Sequence, residues 1–124
     1  MAFIARAALA AAVVAFVSGT ALAQDAAKVD PKHYKVVFEN NQVRVLRIHY
    51  GPRETSVMHS HPDGVVTYLS TGRMKFELPG GKTITSSGKS GQAIWAPGGP
   101  HKPTNLSDRP FDAVLVELKT RGKK

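Results

Sequence analysis

The feature that most limits how this chain can fold is a series of short runs of β-branched and aromatic residues that begins at Tyr34. Glycine, proline and asparagine interrupt these runs every eight to twelve residues, a spacing typical of an all-β sandwich or barrel. No segment after Tyr34 has the periodicity of an amphipathic helix. We therefore predict about nine strands, at 34–38, 43–50, 57–61, 65–70, 73–78, 83–86, 91–95, 102–105 and 111–118.

The first 23 residues have the layout of a secretory signal. Arg6 supplies a positive start, and residues 7–17 form an apolar run of eleven residues. This run is too short to cross a bilayer as a helix, because that takes ~20 residues. Ala21 and Ala23 are the small residues that a signal peptidase accepts. We expect cleavage before Gln24, and hence a periplasmic or secreted protein without a membrane anchor.

The 101 residues that remain allow one domain. The chain has no cysteine, so this domain must be stable without disulfides, and thiolate chemistry is excluded. We interpret residues 24–33 as a flexible lead-in, 34–118 as the β-barrel and 119–124 as a basic tail. These 101 residues carry 16 basic and 9 acidic side chains, a net charge of +7. No aromatic residues lie among the basic ones of the tail, so we expect no nucleic-acid partner.

Three of the five histidines have the spacing of metal ligands. His59 and His61 lie two residues apart in a segment predicted to be extended, so both side chains project from one face of the strand. His101 follows the glycine-rich turn 97–100 and can supply a third nitrogen. Imidazole suits zinc, copper, iron and nickel, and three imidazoles leave positions for water or substrate. We predict that these three residues bind a divalent metal, whereas His33 and His49 have solvated or packing roles.

Two motifs around these histidines resemble the two motifs of the cupin superfamily. The first is matched by Gly51, His59, His61 and Gly72, and the second by Gly91, Pro97, Gly99, His101 and Asn105. The resemblance covers about residues 34–118. It implies an all-β, single-domain jelly roll, or double-stranded β-helix, with a metal held in its interior by the three histidines. It also implies a homodimer, since cupins commonly pair through their outer sheets.

The main departure from the cupin pattern is that Val65 stands where the first motif has a glutamate ligand. Three neutral imidazoles leave a divalent ion with its full charge, which favours an anionic ligand such as a substrate carboxylate or enolate. Asp63 or Glu54 can replace the missing carboxylate if either side chain turns toward the ion. The sequence leaves this choice open.

Around the metal we expect an apolar substrate pocket. The candidates are Met58, Val65, Thr67, Tyr68, Met74, Phe76 and Trp95. Strand alternation turns only about half of such residues inward, so simple core packing is the alternative for each of them. Trp95 and Tyr68 also have polar groups that can orient a ligand. Asn105 is expected to hold the loop near His101, as a partner of the ligand or as a turn residue.

The resemblance does not select one function, because three-histidine cupins include iron-dependent dioxygenases, isomerases and proteins without known turnover. The leading interpretation is an exported metal-binding cupin for a small anionic molecule. If it is an enzyme, we expect a dioxygenase with iron; otherwise the metal is zinc, nickel or manganese. The alternatives are a non-catalytic module that binds a small ligand or metal, and a purely structural barrel.

Expression of the full chain in a Gram-negative host tests the predicted export. We expect the periplasmic fraction to contain a protein that starts at Gln24, because Ala21 and Ala23 fit the peptidase. Intact mass and N-terminal sequencing measure this, and Ala23→Leu should leave the precursor uncut. A cytoplasmic protein that retains the first 23 residues contradicts the prediction.

Overall fold

The computed structural model describes residues 24–119, so the predicted signal segment and the tail from residue 120 onward lie outside the described residues. The described chain forms α1 (Ala26–Val29), β1 (Tyr34–Glu39), β2 (Val43–Tyr50), β3 (His59–His61), β4 (Gly64–Tyr68), β5 (Gly72–Glu77), β6 (Thr83–Gly88), β7 (Ala93–Ala96), β8 (Gly99–Asn105) and β9 (Phe111–Leu118). Within residues 24–119, no helix has the length and apolar character needed to span a membrane.

The strands form two antiparallel sheets. One sheet has five strands in the order β1-β2-β9-β4-β7, and the other has four in the order β3-β8-β5-β6. Residues from both sheets line a shared interior cavity, so the inner faces oppose each other. The prediction of an all-β jelly roll is thereby confirmed.

Alternation along the strands sets which side chains reach this interior. In β9, Phe111, Ala113, Leu115 and Glu117 are buried, and the residues between them are less so. The same alternation in β4 buries Gly64 and Tyr68 at its two ends. The aliphatic and aromatic residues of the inner faces therefore form one core, and Glu117 is the charged member of the β9 set.

The pairing of β3 with β8 differs in detail from the predicted strands. β3 begins at His59 rather than at residue 57, and β8 begins at Gly99 rather than at residue 102. His101 therefore lies inside a strand and not in the turn before it. Its register partner across the strand pair is His59.

The prediction of a flexible lead-in at residues 24–33 is corrected by the structure. This segment contains α1 and packs against the barrel, with Ala26, Asp30 and His33 buried. The backbone N–H of Ser60 donates to the carbonyl oxygen of Gln24 at 2.9 Å, which attaches the segment to β3. The polar composition suggested solvent exposure, but Asp30 is buried here and is hydrogen-bonded to His33 and Ser56.

Close packing of β4 against β9 requires a residue without a side chain at Gly64. A Cβ atom built there would lie 2.3 Å from the carbonyl oxygen of Val116. Because that oxygen belongs to the backbone of a paired strand, it can give way only if the sheet distorts.

Gly64→Ala should therefore destabilise the protein by ~1–3 kcal/mol, as overpacking of a core does. For a domain of this size, each kcal/mol lowers the melting temperature by roughly 4–8 °C. Thermal unfolding followed by circular dichroism measures the effect. Thr67→Ala, on the same strand, is the control and should change the melting temperature much less. Equal effects of the two substitutions would contradict this account of β4.

Candidate metal centre

The three predicted histidines converge inside the barrel. One nitrogen from each of His59, His61 and His101 lies within 4.8 Å of the other two. The Nε2 atoms of His59 and His101 are 3.2 Å apart. Two nitrogens bound to one ion at ~2.1 Å are separated by roughly 3 Å, so this spacing suits a shared ion. His59 and His61 are buried and His101 is partly buried.

Hydrogen bonds orient two of these rings. His59 Nδ1 lies 2.9 Å from the carbonyl oxygen of Val57, which can only accept, so Nδ1 carries the proton. His61 Nδ1 lies 2.7 Å from Oε2 of Glu117 and donates to that carboxylate. Both rings therefore present the lone pair of Nε2, and protein metal ligands are usually held in this way.

Burial keeps His59 and His101 uncharged. It lowers the pKa of His59 to about 4, with the neighbouring His61 adding to the effect. Burial likewise lowers the pKa of His101 to about 3, and the other two imidazoles contribute. Neutral imidazole is the form that binds a metal. The donor set therefore fits a divalent transition metal without the removal of protons from these two rings near neutral pH.

Glu117 is the acidic residue of the site, and the sequence analysis missed it. Burial by itself raises the pKa of this carboxyl, but hydrogen bonds from His61 and Arg44 outweigh burial and lower it. The carboxylate is thus charged, and Arg44 Nε donates to its Oε1 at 2.7 Å. The alternation of β9 contained the signal, since Glu117 continues the inward-facing series that starts at Phe111.

The two acidic residues considered as replacements for the missing glutamate bind elsewhere. Asp63 accepts a hydrogen bond from the backbone N–H of Gly98 at 2.6 Å. Glu54 pairs with Lys32 and accepts from the backbone N–H of Gly51. Within residues 24–119, neither belongs to the cluster of candidate ligand atoms, which consists of the three histidines.

A cavity of about 360 Å³ opens directly onto this centre, because His61 and His101 form part of its wall. Four of the predicted pocket residues line it: Tyr68, Met74, Phe76 and Trp95. The ring of Phe76 stacks on His101, with centroids 5.0 Å apart. Trp95 pairs in register with Val65 and is 53% exposed, so it borders the cavity while its side chain lies on the outer face of the sheet.

The choice of Val65 and Thr67 as pocket residues is corrected by the structure. Val66 lines the cavity in their place, because Gly64 and Tyr68 face inward and alternation then turns residues 65 and 67 to the outer face. Met58, which was also considered, is 40% exposed.

Two tyrosines that the sequence analysis did not assign complete the polar end of the cavity. The hydroxyl groups of Tyr34 and Tyr50 are 2.7 Å apart. The ring of Tyr34 lies 4.8 Å from His59 and 5.3 Å from His61, measured between centroids. Burial raises the pKa of both hydroxyls, so they stay protonated, and one of them donates its proton to the other.

Asn105 holds loops rather than a ligand. Its Nδ2 donates to the carbonyl oxygens of Gly51 and Arg109, and its Oδ1 accepts from the backbone N–H of Ser107. Of the roles considered for Asn105, the structure therefore shows that of a turn residue.

The remaining two histidines lie outside the cluster. His33 is buried, bonded to Asp30 and stacked on Tyr50 with ring centroids 4.1 Å apart. His49 is exposed and bonded to Asp112. Each therefore has a packing or surface role within the described chain.

Comparison with solved structures identifies the family. A cupin domain from Bordetella pertussis is 31% identical to this chain and superposes with a TM-score of 0.64. The match covers 70% of this chain and 92% of the Bordetella chain. The chain belongs to the cupin superfamily. The resemblance carried by the two motifs is thus confirmed at the level of sequence and fold.

Further cupin-like structures agree on the fold. An uncharacterised protein with a double-stranded β-helix domain from Klebsiella pneumoniae is 27% identical, with a TM-score of 0.52, and the match covers 71% of this cupin and 84% of that chain. A cupin family protein from Methanocaldococcus jannaschii is 14% identical, with a TM-score of 0.54 and coverage of 68% and 77%, and supports the fold alone. No protein-family model and no curated protein matches the chain.

Proposed function

We propose that this cupin binds a divalent transition metal through His59, His61 and His101 and uses it to hold a small organic molecule with an anionic oxygen group. The observation that carries the proposal is the convergence of three imidazoles inside the barrel, two of them on the wall of an apolar cavity. Such a cavity selects a ligand by size and apolar contact and orients it with a few polar groups.

The charge of the site supports an anionic ligand. No carboxylate belongs to the candidate ligand atoms of the described chain, so a bound divalent ion keeps its full charge toward the cavity. Glu117 is charged but lies behind His61, where it binds Nδ1. Tyr34 and Tyr50 line the same cavity, and their hydrogen-bonded pair of hydroxyls has one proton left to donate to a further acceptor such as an anion.

If the metal is iron, we propose dioxygenase activity. A redox-active ion at this centre would supply dioxygen activation, with open positions left by only three protein ligands. The chain itself contributes the orientation of substrate by the cavity wall and the exclusion of water by the apolar side chains. Phe76 and Met74 are two of these side chains.

A non-catalytic binder of a small ligand is the second candidate function, and the cavity wall favours it in one respect. Among the described residues that line the cavity, none is a carboxylate or a lysine. The cavity-lining groups that carry a transferable proton are therefore histidines and hydroxyls, the latter from the tyrosine pair, Tyr68 and Ser86. With zinc, nickel or manganese bound, this site would capture a ligand without turnover.

Metal content and oxygen consumption test these proposals. Protein purified from a metal-replete culture should contain about one ion per chain by elemental analysis, because the three nitrogens form one centre. His101→Ala should lose the metal, whereas the exposed His49→Ala should retain it. Bound iron with oxygen uptake on small carboxylates or phenols supports the dioxygenase, and a bound metal without turnover supports the binder. Absence of metal from the wild-type protein would overturn the proposal.

We also propose that the cupin is exported and forms a homodimer through the outer face of its five-stranded sheet. The observation behind the dimer is an apolar row in strand register across all five strands: Phe38, Val45, Val116, Val65 and Trp95. Phe38 is 54% exposed. A sheet of five strands is ~20 Å wide and ~25 Å long, a flat area of about 500 Å², so an interface of the standard roughly 800 Å² of accessible surface per partner would need the whole of this face together with the relief of its side chains.

A second copy is the proposed occupant because the row carries no charge. In a two-fold dimer, the apolar row of one copy therefore packs against the same row of the other copy, and no like charges meet. Light scattering after size exclusion should give a dimer for the wild type and a monomer for Val65→Lys. Thr85→Lys, on the other sheet, should leave the dimer intact. A monomeric wild type, or a dimeric Val65→Lys variant, would exclude this interface.

A further inference from the structure

The two histidines of β3 are each connected to the N-terminal segment by a chain of buried or partly buried hydrogen bonds. His59 Nδ1 lies 3.1 Å from Ser56 Oγ, and that hydroxyl donates to Oδ2 of Asp30. His33 Nδ1 donates to the same carboxylate oxygen at 2.6 Å. The first chain thus runs from His59 through Ser56 to Asp30, and these three side chains are buried.

The second chain starts at the other end of the same strand. His61 Nδ1 donates to Glu117, and Arg44 Nε donates to the second oxygen of Glu117. The two terminal nitrogens of Arg44 donate to the two carboxylate oxygens of Asp25 at 2.5 and 2.7 Å. Such a bidentate pair has a fixed geometry. The second chain thus runs from His61 through Glu117 and Arg44 to Asp25.

The backbone of the same segment binds the residue between the two histidines. Ser60 donates its N–H to the carbonyl oxygen of Gln24, and Asp25 forms a parallel bridge with Ser60. His33 stacks on Tyr50 in the barrel at an interplanar angle of 6°. Residues 24–33 are therefore connected to β3 at His59, Ser60 and His61, and they contact the cavity wall at Tyr50.

We infer that residues 24–33 form a strap that positions the metal ligands, with Asp25 orienting His61 and Asp30 orienting His59 through the two hydrogen-bonded chains. This inference rests on the metal site proposed above. The imidazole–carboxylate contact sets both the direction of the ring and the basicity of its free nitrogen. Loss of an outer partner bonded directly to a ligand typically weakens metal binding by roughly 10- to 100-fold, and Asp25 and Asp30, which act through intervening side chains, should have smaller effects.

The strap also explains the use of two aspartates in the first ten described residues. Asp25 caps α1 by accepting the N–H of Ala27, and Arg44 lowers the pKa of its carboxyl, so the charge that holds Arg44 persists in mild acid. Asp30 binds a serine and a histidine at once. Each aspartate serves a different ligand, so their effects on the metal should be independent.

Cobalt titration of the metal-free full-length protein tests the strap. The readouts are the Co²⁺ dissociation constant and the visible bands of the bound ion, which report ligand geometry. Asp25→Ala and Asp30→Ala should each weaken Co²⁺ binding by up to roughly 10-fold, the lower limit for a direct outer partner, and the double variant should lose the product of both factors. Asp30→Asn keeps one acceptor oxygen for Ser56 and should restore part of the affinity.

Two controls separate ligand positioning from loss of stability. Leu46→Val destabilises the core at a buried residue outside both chains and should leave Co²⁺ affinity unchanged. Asp108→Ala removes an exposed carboxylate that pairs with Arg53 and should also have no effect. In the metal-free protein, Asp30→Ala should shift the Nδ1 proton resonance of His59 but not that of His61.

The outcomes distinguish this inference from the proposed function. A wild-type protein that binds no Co²⁺ refutes the metal site itself. If the wild type binds Co²⁺ and the aspartate variants bind it equally well, the strap is refuted and the metal site stands. If Leu46→Val weakens binding as much as the aspartate variants at equal loss of melting temperature, positioning by the strap is also refuted.

Discussion

The register between β3 and β8 is the constraint on which the rest of this structure depends. It places His59 opposite His101 on the inner face, and strand alternation then brings His61 to the same side. A shift of one residue would turn His59 and His61 to the opposite face of their strand and disperse the cluster. The cavity, the orientation of the rings and the charge of the site all follow from this pairing. Gly64 contributes by allowing β4, the next strand along the chain, to pack tightly against β9.

Burial of polar side chains is the cost of this arrangement. An unpaired buried polar group costs ~1–3 kcal/mol, and a small domain without disulfides has little stability to lose. The structure offsets this cost by pairing the outer nitrogens of two histidines with buried acceptors, which continue to Asp25 and Asp30 in the N-terminal segment. The same bonds that satisfy these groups also orient them toward a common centre. The stability of the fold and the orientation of the candidate metal ligands therefore depend on the same hydrogen bonds.

The position of negative charge distinguishes this site from one with a carboxylate ligand. Glu117 is ionised, but its oxygens are bonded to His61 and Arg44 rather than directed at the centre of the cluster. A bound cation would thus face the cavity with three neutral donors. The cavity wall is mostly apolar, and the ring of Tyr34 in this wall lies beside His59 and His61. This combination suits a small molecule with an apolar body and one anionic oxygen group, which is the ligand class of the proposed function.

The local pattern of the sequence was sufficient to predict the strands and the candidate metal ligands. Turn residues and β-branched runs predicted nine strands near their observed positions, and the spacing of the two motifs identified His59, His61 and His101. These signals are local, because strand alternation and motif spacing depend only on residues that are close in the sequence. Only the tertiary structure decided the partners of these ligands, because Glu117 lies 56 residues after His61 and Asp30 lies 29 residues before His59, linked through Ser56. Contacts between residues so distant in sequence depend on strand order and on where the N-terminal segment packs, and no local pattern specifies either.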